Sequence, residues 1–397
     1  MRSFIKQISF GAVILIIGVG CAPQNDTENN QRSEAPVFET KEVDTEYERI
    51  SVSAVAGPFE FPWAIAFLPD NRYLVTERPG RLNIVENDEI IPVNGLPEVR
   101  AVGQGGLMDV VLHPDYENNG WIYLTYSKPQ GDETATTLIR SRLDGTDLVD
   151  VEEIFIQDRY SSPGRHYGSK LAWSNDGKLF MSIGDRGANP PRAQDLGDHA
   201  GTLLRLNDDG TPAEGNPFTG RNDALDEIYS YGHRNIQGLV IDPESGKIWG
   251  TEHGPRGGDE LNHIEAGKNY GWPTITFGLD YRTEEQFPHA EARRMEGMEE
   301  PFYEFLPTHS PSGLALVTSD KFPRWKGNLL AGGLRGERIR RVVFDEREVL
   351  HEEEILLGSP GRIRDVREAP NGDIYILHDS PQGYIYRIGK PEEPRSD

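Results

Sequence analysis

His166 is the residue of this chain best suited to move a proton. It stands in SPGRHYGSKLAW (Ser162–Trp173), between a Pro-Gly-Arg bend and a Tyr-Gly pair, just ahead of an apolar strand. A neutral imidazole near pH 7 can accept a proton from a hydroxyl. Asp185 ends the next strand, in SIGDRGANP, and could orient that ring or cap a turn. Arg234 and Asn235 stand together in YSYGHRNIQGLVIDP, a permanent cation and an amide directly before another strand. A planar guanidinium suits a carboxylate or a developing oxyanion. Gln104, flanked by glycines in VGQGGLMDVVLHP, sits where backbone can come close to a ligand. Further cations are Arg335 in AGGLRGERIRRVVF, and Arg362 and Arg364 in SPGRIRDVREAPNGDIYIL. The last two, two residues apart on a strand, share one face. In TEHGPRGGDELNHIEAGKNYGWP the Gly-Pro and Gly-Gly bends expose carbonyls beside the carboxylates of Asp259 and Glu260. Calcium takes oxygen donors of that kind. Taken singly, each feature is also explained by a glycine turn or a charge-compensating ion pair.

The elements that must position these residues repeat. Six times an apolar strand, a short polar turn and a second β-rich strand recur: FLPDNRYLVTE from Phe67, LHPDYENNGWIYLTY from Leu112, LAWSNDGKLFMSIGD from Leu171, LVIDPESGKIWGTEH from Leu239, TSDKFPRWKGNLLAGG from Thr318 and REAPNGDIYILHD from Arg367. Repeated hairpins with Asp, Asn or Gly at the turn are the signature of propeller blades. One hairpin cannot bury both its faces, so blades stack radially and leave only short edges. The expected fold is all-β, a six-bladed β-propeller of four-stranded antiparallel sheets over residues 49–390. Its chemistry falls on loops at one end of the central channel. The stretch from Asp280 to Pro301 lacks strand alternation and reads as an insertion between blades, partly helical.

The chain has 397 residues, a formal charge of −24 and one cysteine. Such acidity argues against nucleic acid or an anionic membrane surface as a partner, since both need a basic face. Residues 1–20 read as a leader, in which Arg2 and Lys6 precede an apolar run from Gly11 to Val19 too short to span a bilayer. A leader that stops at a lone Cys after a small residue, here IGVGC, resembles a bacterial lipoprotein signal, although Gly18 stands where Leu is usual. The expectation is an exported chain, periplasmic, outer-membrane-anchored or at the cell surface, that meets the membrane only through a lipid on Cys21. Residues 21–48, polar and without periodicity, read as a disordered tether, and residues 391–397 as a charged tail. With no second cysteine, core burial or a bound metal must hold the fold.

Read together, GQGGLMDVVLHP, GRHYGSKLAW with DGKLFMSIGDRG, YGHRNIQGL, TEHGPRGGDELN with GKNYGWP, FPRWKGNLLAGGLRG and GRIRDV with PNGDIYIL resemble, in order, the glucose/sorbosone dehydrogenase family of soluble quinoproteins, in its aldose sugar dehydrogenase branch. The similarity covers residues 50–388. It implies a six-bladed propeller that binds pyrroloquinoline quinone (PQQ) and calcium (Ca2+) at the channel mouth. It also implies oxidation of an aldose sugar at the anomeric carbon to the lactone, with an unidentified electron acceptor, by a monomer or dimer. His166 falls on the catalytic base, and Arg234 on the arginine beside the reacting carbonyl oxygen. Gln104, Asp185 and Asn235 fall on residues around cofactor and base. Arg335 falls on a position that is often Lys, and Arg362 and Arg364 on arginines facing the cofactor carboxylates. The carbonyls of Gly254 and Pro255 match ligands of the calcium that also binds PQQ, and Glu260 and Tyr270 match a second, structural calcium site. Arg165 precedes the base where some relatives carry an Asp that polarises it. Buried carboxylates need paired cations, which accounts for arginines on one rim of so acidic a protein. Two other classes stay open. A calcium-dependent lactonase would hold metal on the axis through carboxylate or amide side chains, and a non-enzymatic, surface-tethered propeller would bind a partner protein.

Overall fold

The computed structural model describes residues 40–392. The leader, Cys21, most of the acidic segment after it and residues 393–397 lie outside the described residues. The chain makes six antiparallel sheets, five of four strands and one of five. The innermost strands are Pro62–Phe67, Leu107–Leu112, Leu171–Trp173, Ile236–Ile241, Pro311–Leu316 and Ile363–Glu368. Each packs against the innermost strands of its two neighbours, and the sixth returns to the first, so the sheets close around one axis. The turns of the six sequence repeats join each innermost strand to the second strand of its blade. Burial on both faces explains why these strands are apolar without alternation: in PWAIAF only Phe67 is not buried.

The ring closes by pairing the two ends of the propeller. Arg49–Phe59 runs antiparallel to Gly383–Gly389, in register from Ser51 opposite Gly389 to Phe59 opposite Gly383. Lys41–Asp44 adds a fifth strand to that sheet, with Lys41 opposite Val52. This shortens the expected tether, whose last residues are strand and turn. The strand leaves no trace in the sequence because it is an edge with no buried residue and so no apolar alternation. Glu48, also assigned to the tether, is buried; its Oε1 accepts from the Arg324 amide at 3.0 Å and its Oε2 pairs with Lys390.

The insertion of residues 280–301 also differs from expectation. It lies inside the fourth blade, between the third strand Asp259–Ile264 and the outermost strand Tyr303–Phe305. It holds turns and isolated bridges, including Leu279 to Gln286 and Ile275 to Ala292, and no helix. Its composition suits a helix, but its backbone is committed elsewhere: Glu291 N donates to Thr274 O and Glu299 N to Asn269 O, both at the blade.

Buried charge ties neighbouring blades. In the third blade, His199 Nδ1 lies 2.9 Å from Oδ1 of Asp158, which follows the outermost strand of the second blade, Asp147–Ile156. Its Nε2 lies 2.6 Å from Glu227 Oε1. The Asp158 amide also approaches Nδ1, at 3.1 Å, but two carboxylates on the two ring nitrogens favour the protonated ring. Burial lowers the pKa of His199, but the carboxylates outweigh it and hold it above the ordinary 6.5. A raised folded-state pKa gives stability that is lost as pH rises through it. His199→Gln is therefore expected to cost about 1–3 kcal/mol at pH 6 in urea denaturation, and the gap to the parent protein to narrow by pH 9. A gap that stays constant with pH would contradict a protonated His199.

Candidate active site

Trp63, Met108, Gln237 and Arg364 are each the second residue of an innermost strand, and all four line one cavity of about 190 Å³. Loops at the same end add Arg78, Gln104, Tyr167, Asn235, His253 and Arg362. The wall thus carries three arginines and no carboxylate. His166 and Arg234 stand at its edge, each followed by a wall residue, Tyr167 and Asn235.

His166 has a backbone φ of 51°, a left-handed conformation that His tolerates better than most residues. Gln104 Oε1 accepts from its amide at 2.8 Å. The His166 carbonyl packs against Gly184 so closely that a side chain there would collide with it, which explains the glycine of SIGD. On the ring, Nδ1 lies 2.6 Å from Asp185 Oδ1. Asp185 is fully buried; its Oδ2 accepts from the Trp272 indole at 2.7 Å and its Oδ1 from Gly187 N at 2.7 Å. Burial alone would raise its pKa, but His166, Arg234 and the indole hold it below the ordinary carboxylate value. An ionised carboxylate only accepts, so Nδ1 carries the proton and Nε2 is left with a lone pair. Among the described residues no protein group bonds Nε2. The ring itself is pushed below 6.5, by burial first and by the Arg234 charge next, against the pull of Asp185. The carboxylate on the ring is thus Asp185, and position 165 supplies none. Arg165 turns away and donates to Gly187 O at 2.7 Å.

Arg234 is held by its backbone as well as its side chain. Its amide donates to Glu252 Oε2 at 2.7 Å and its Nη1 to His253 O at 3.1 Å, while its buried Nε has no partner. Asn235 Oδ1 accepts from Gly168 N at 3.0 Å. Arg362 reaches Asp379 Oδ2 through Nε at 3.0 Å and Nη2 at 2.8 Å. Arg364 donates to Gln237 Oε1 at 3.2 Å and to the same Asp379 oxygen at 3.4 Å, and its buried Nε is unpartnered. Burial pushes its pKa below the ordinary 12.5 despite Asp379. The Arg78 side chain lies 4.0 Å over the Phe61 ring and makes no hydrogen bond or ion pair among the described residues. Arg335 is exposed, equally without an ion pair, and follows the wall residue Leu334.

Of the expected calcium ligands, Gly254 and Pro255 are buried, and neither carbonyl accepts a hydrogen bond among the described residues. Only glycine fits at 254, because a Cβ would run into the carbonyls of Gly257 and Gly258. Asp259 is spent on backbone, accepting from Gly254 at 3.1 Å and from His309 and Ser310 at 2.8 Å each. Glu260 faces Glu252 across paired strands, and burial with that neighbouring charge pushes its pKa well up. The Asn262 amide bridges both carboxylates at 2.9 and 3.1 Å, leaving its buried Oδ1 unpaired. The Tyr270 hydroxyl does not join this group. It donates to His263 O at 2.6 Å, and the ring stacks on His233, which bonds Glu252.

Sequence reasoning passed over Trp63, Arg78, His253, Trp272 and Asp379. A signal exists for part of this set: at the cavity end, the second strands of four blades finish on or within two residues of an acid, Glu77, Asp185, Glu252 and Asp379.

A six-bladed propeller with an arginine-walled axial cavity and an Asp–His pair at its edge defines the class. The sequence matches the glucose/sorbosone dehydrogenase family model over residues 59–387, and the chain belongs to that family. It is 38% identical over 345 residues to aldose sugar dehydrogenase YliI of Escherichia coli (strain K12), covering 85% of this chain and 92% of that one. Its fold matches the apo crystal structure of the soluble aldose sugar dehydrogenase from Escherichia coli with a TM-score of 0.83 at 37% identity, over 86% of this chain and all of that one. The PQQ-bound form of aldose sugar dehydrogenase from Streptomyces coelicolor matches with a TM-score of 0.71 at 27% identity, over 86% and 98% of the two chains. The chain is accordingly an oxidoreductase of the aldose sugar dehydrogenase kind.

An NMR titration of the His166 imidazole in the protein without added cofactor is expected to show a midpoint below 6.5, with the neutral ring protonated on Nδ1. A midpoint at or above 6.5 would mean that Asp185 outweighs burial and Arg234.

Proposed function

We propose that this protein oxidises aldose sugars at the anomeric carbon to lactones, with PQQ and calcium as its cofactors. The observation that carries the reading is the imbalance of the cavity: Arg362 and Arg364 share one carboxylate, Asp379, and Arg78 pairs with none among the described residues, beside a histidine held neutral. The unpartnered Nε of Arg364 and the free guanidinium of Arg78 suit a ligand with several carboxylates, which PQQ has. The free carbonyls of Gly254 and Pro255 suit a hard divalent cation, as do Glu252, Glu260 and the open Asn262 Oδ1. When bound, PQQ supplies the two-electron acceptor for the hydride.

The chain's own residues supply the proton chemistry. His166 Nε2 takes the proton of the anomeric hydroxyl, and Asp185 stabilises the imidazolium by accepting from its Nδ1–H. Gln104 fixes the backbone of the base, and Trp272 fixes the carboxylate. Arg234 places a cation close enough to lower the His166 pKa, so the ring releases its proton again once the lactone has left. Export under the leader of residues 1–20, with a lipid on Cys21, belongs to the same proposal, as does an electron acceptor met outside the cytoplasm.

The test is turnover of an acceptor dye by purified protein given PQQ, Ca2+ and a panel of aldoses. His166→Ala is expected to keep PQQ affinity and lose about 10²- to 10⁴-fold in kcat. Turnover that survives intact in this variant would remove His166 from the mechanism, and lactone hydrolysis without quinone would favour the hydrolase reading. Arg78→Ala and Arg364→Ala are each expected to weaken PQQ binding about 10- to 100-fold, as loss of a hydrogen bond to a charged group does. Titration by absorbance measures this, and undiminished affinity in both would refute the anion-site reading.

A further inference from the structure

Arg186 is fully buried and makes no ion pair with a carboxylate among the described residues. Its partners are neutral: Nη1 donates to Arg165 O at 2.9 Å, and Nη2 to Thr134 O at 3.3 Å and Thr134 Oγ1 at 3.0 Å. Its guanidinium lies 3.6 Å from the centroid of the Tyr167 ring, whose hydroxyl shares Thr134 Oγ1 at 2.7 Å. The nearby Asp185 charge acts on it only through space; a buried cation with no carboxylate in contact is costly, and an apolar side chain of similar length would fill the space without that cost. Stability alone therefore does not account for an arginine here.

Its contacts have a common object. Arg165 and Tyr167 are the residues on either side of His166, and Asp185, immediately before Arg186, bonds the His166 ring. One guanidinium thus grips both neighbours of the base, from the same bend that carries the carboxylate partner of the base. Between those two grips the His166 backbone holds its left-handed φ of 51°. Such conformations persist where the surroundings over-determine them.

We propose that Arg186 is a positioning residue, which locks the Arg165–Tyr167 backbone so that His166 Nδ1 meets Asp185 and Nε2 is set for proton abstraction. The inference rests on His166 as the base. Arg186 acts through His166, so its loss lowers the rate of proton transfer without weakening cofactor or sugar binding.

The test is a double-mutant cycle in the PQQ- and Ca2+-loaded enzyme. Arg186→Met is expected to lower kcat about 10- to 100-fold, the scale of a small misplacement of a catalytic group, with the sugar KM and PQQ affinity within about twofold. In the His166→Ala background the same substitution is expected to change nothing more. Unchanged kcat in Arg186→Met, or losses that multiply in the double variant, would overturn the proposal. Should His166→Ala itself keep full turnover, the base assignment fails instead, and Arg186 is then judged without catalysis. In the protein free of cofactor, the Nδ1 proton of His166 is expected as a resolved NMR signal in the parent and lost to exchange in Arg186→Met. Its persistence in the variant would refute positioning. If Arg186→Met does not fold, Thr134→Val removes one of the three acceptors and is expected to give a smaller fall in kcat with the same pattern; no fall would count against the proposal.

Discussion

Positive charge left without its counter-charge, at one end of a closed ring of sheets, is the constraint on which the rest of this structure depends. Asp109 and Asp365 directly follow the wall residues Met108 and Arg364, and they pair with Lys170 and Arg367: Lys170 to Asp365 at 2.8 Å, Arg367 to Asp109 at 2.6 Å and to Asp365 at 2.9 Å. There two cations meet two anions and the axis is neutral. One layer higher, Arg362 and Arg364 meet Asp379 alone, and Arg78 meets no carboxylate among the described residues. A chain carrying a formal charge of −24 has acids to spare, so the shortage belongs to this site. A buried, under-paired guanidinium is tolerable where a ligand brings the missing charge.

The propeller is what makes such a site possible. Each blade delivers one strand to the axis, and the second residues of four of them converge from distant parts of the sequence. Closure by Arg49–Phe59 on Gly383–Gly389 fixes the circumference and hence the spacing of those side chains. The same positive field reaches the edge of the cavity, where Arg234 helps keep His166 neutral. Asp185 opposes that field at the other ring nitrogen. The His166 ring is thus poised between a cation that disfavours its protonation and a carboxylate that favours it.

Much of this was legible in the sequence, and for reasons that can be stated. The six hairpins were readable because a strand buried on both faces is uniformly apolar and its turn is polar. His166 with Asp185, and Arg234 with Asn235, were readable because rare residue types sit at strand ends. The edge strand Lys41–Asp44 was not, since an exposed edge carries no apolar period. The insertion was misplaced because turns that borrow their hydrogen bonds from a neighbouring segment leave no local pattern. Tyr270 sits near its expected group only through His233, a ring contact that spacing cannot reveal. Arg78 and Asp379 lie in ordinary-looking turns, TERPGR and LHDSP, and acquire their meaning only when the ring closes.

The most direct measurement is a crystal structure of the protein grown with PQQ and Ca2+. The quinone is expected in the axial cavity, its carboxylates on Arg78, Arg362 and Arg364, with the metal against the carbonyls of Gly254 and Pro255. A quinone bound elsewhere, or an axial cavity still filled by solvent at saturating PQQ, would contradict this expectation.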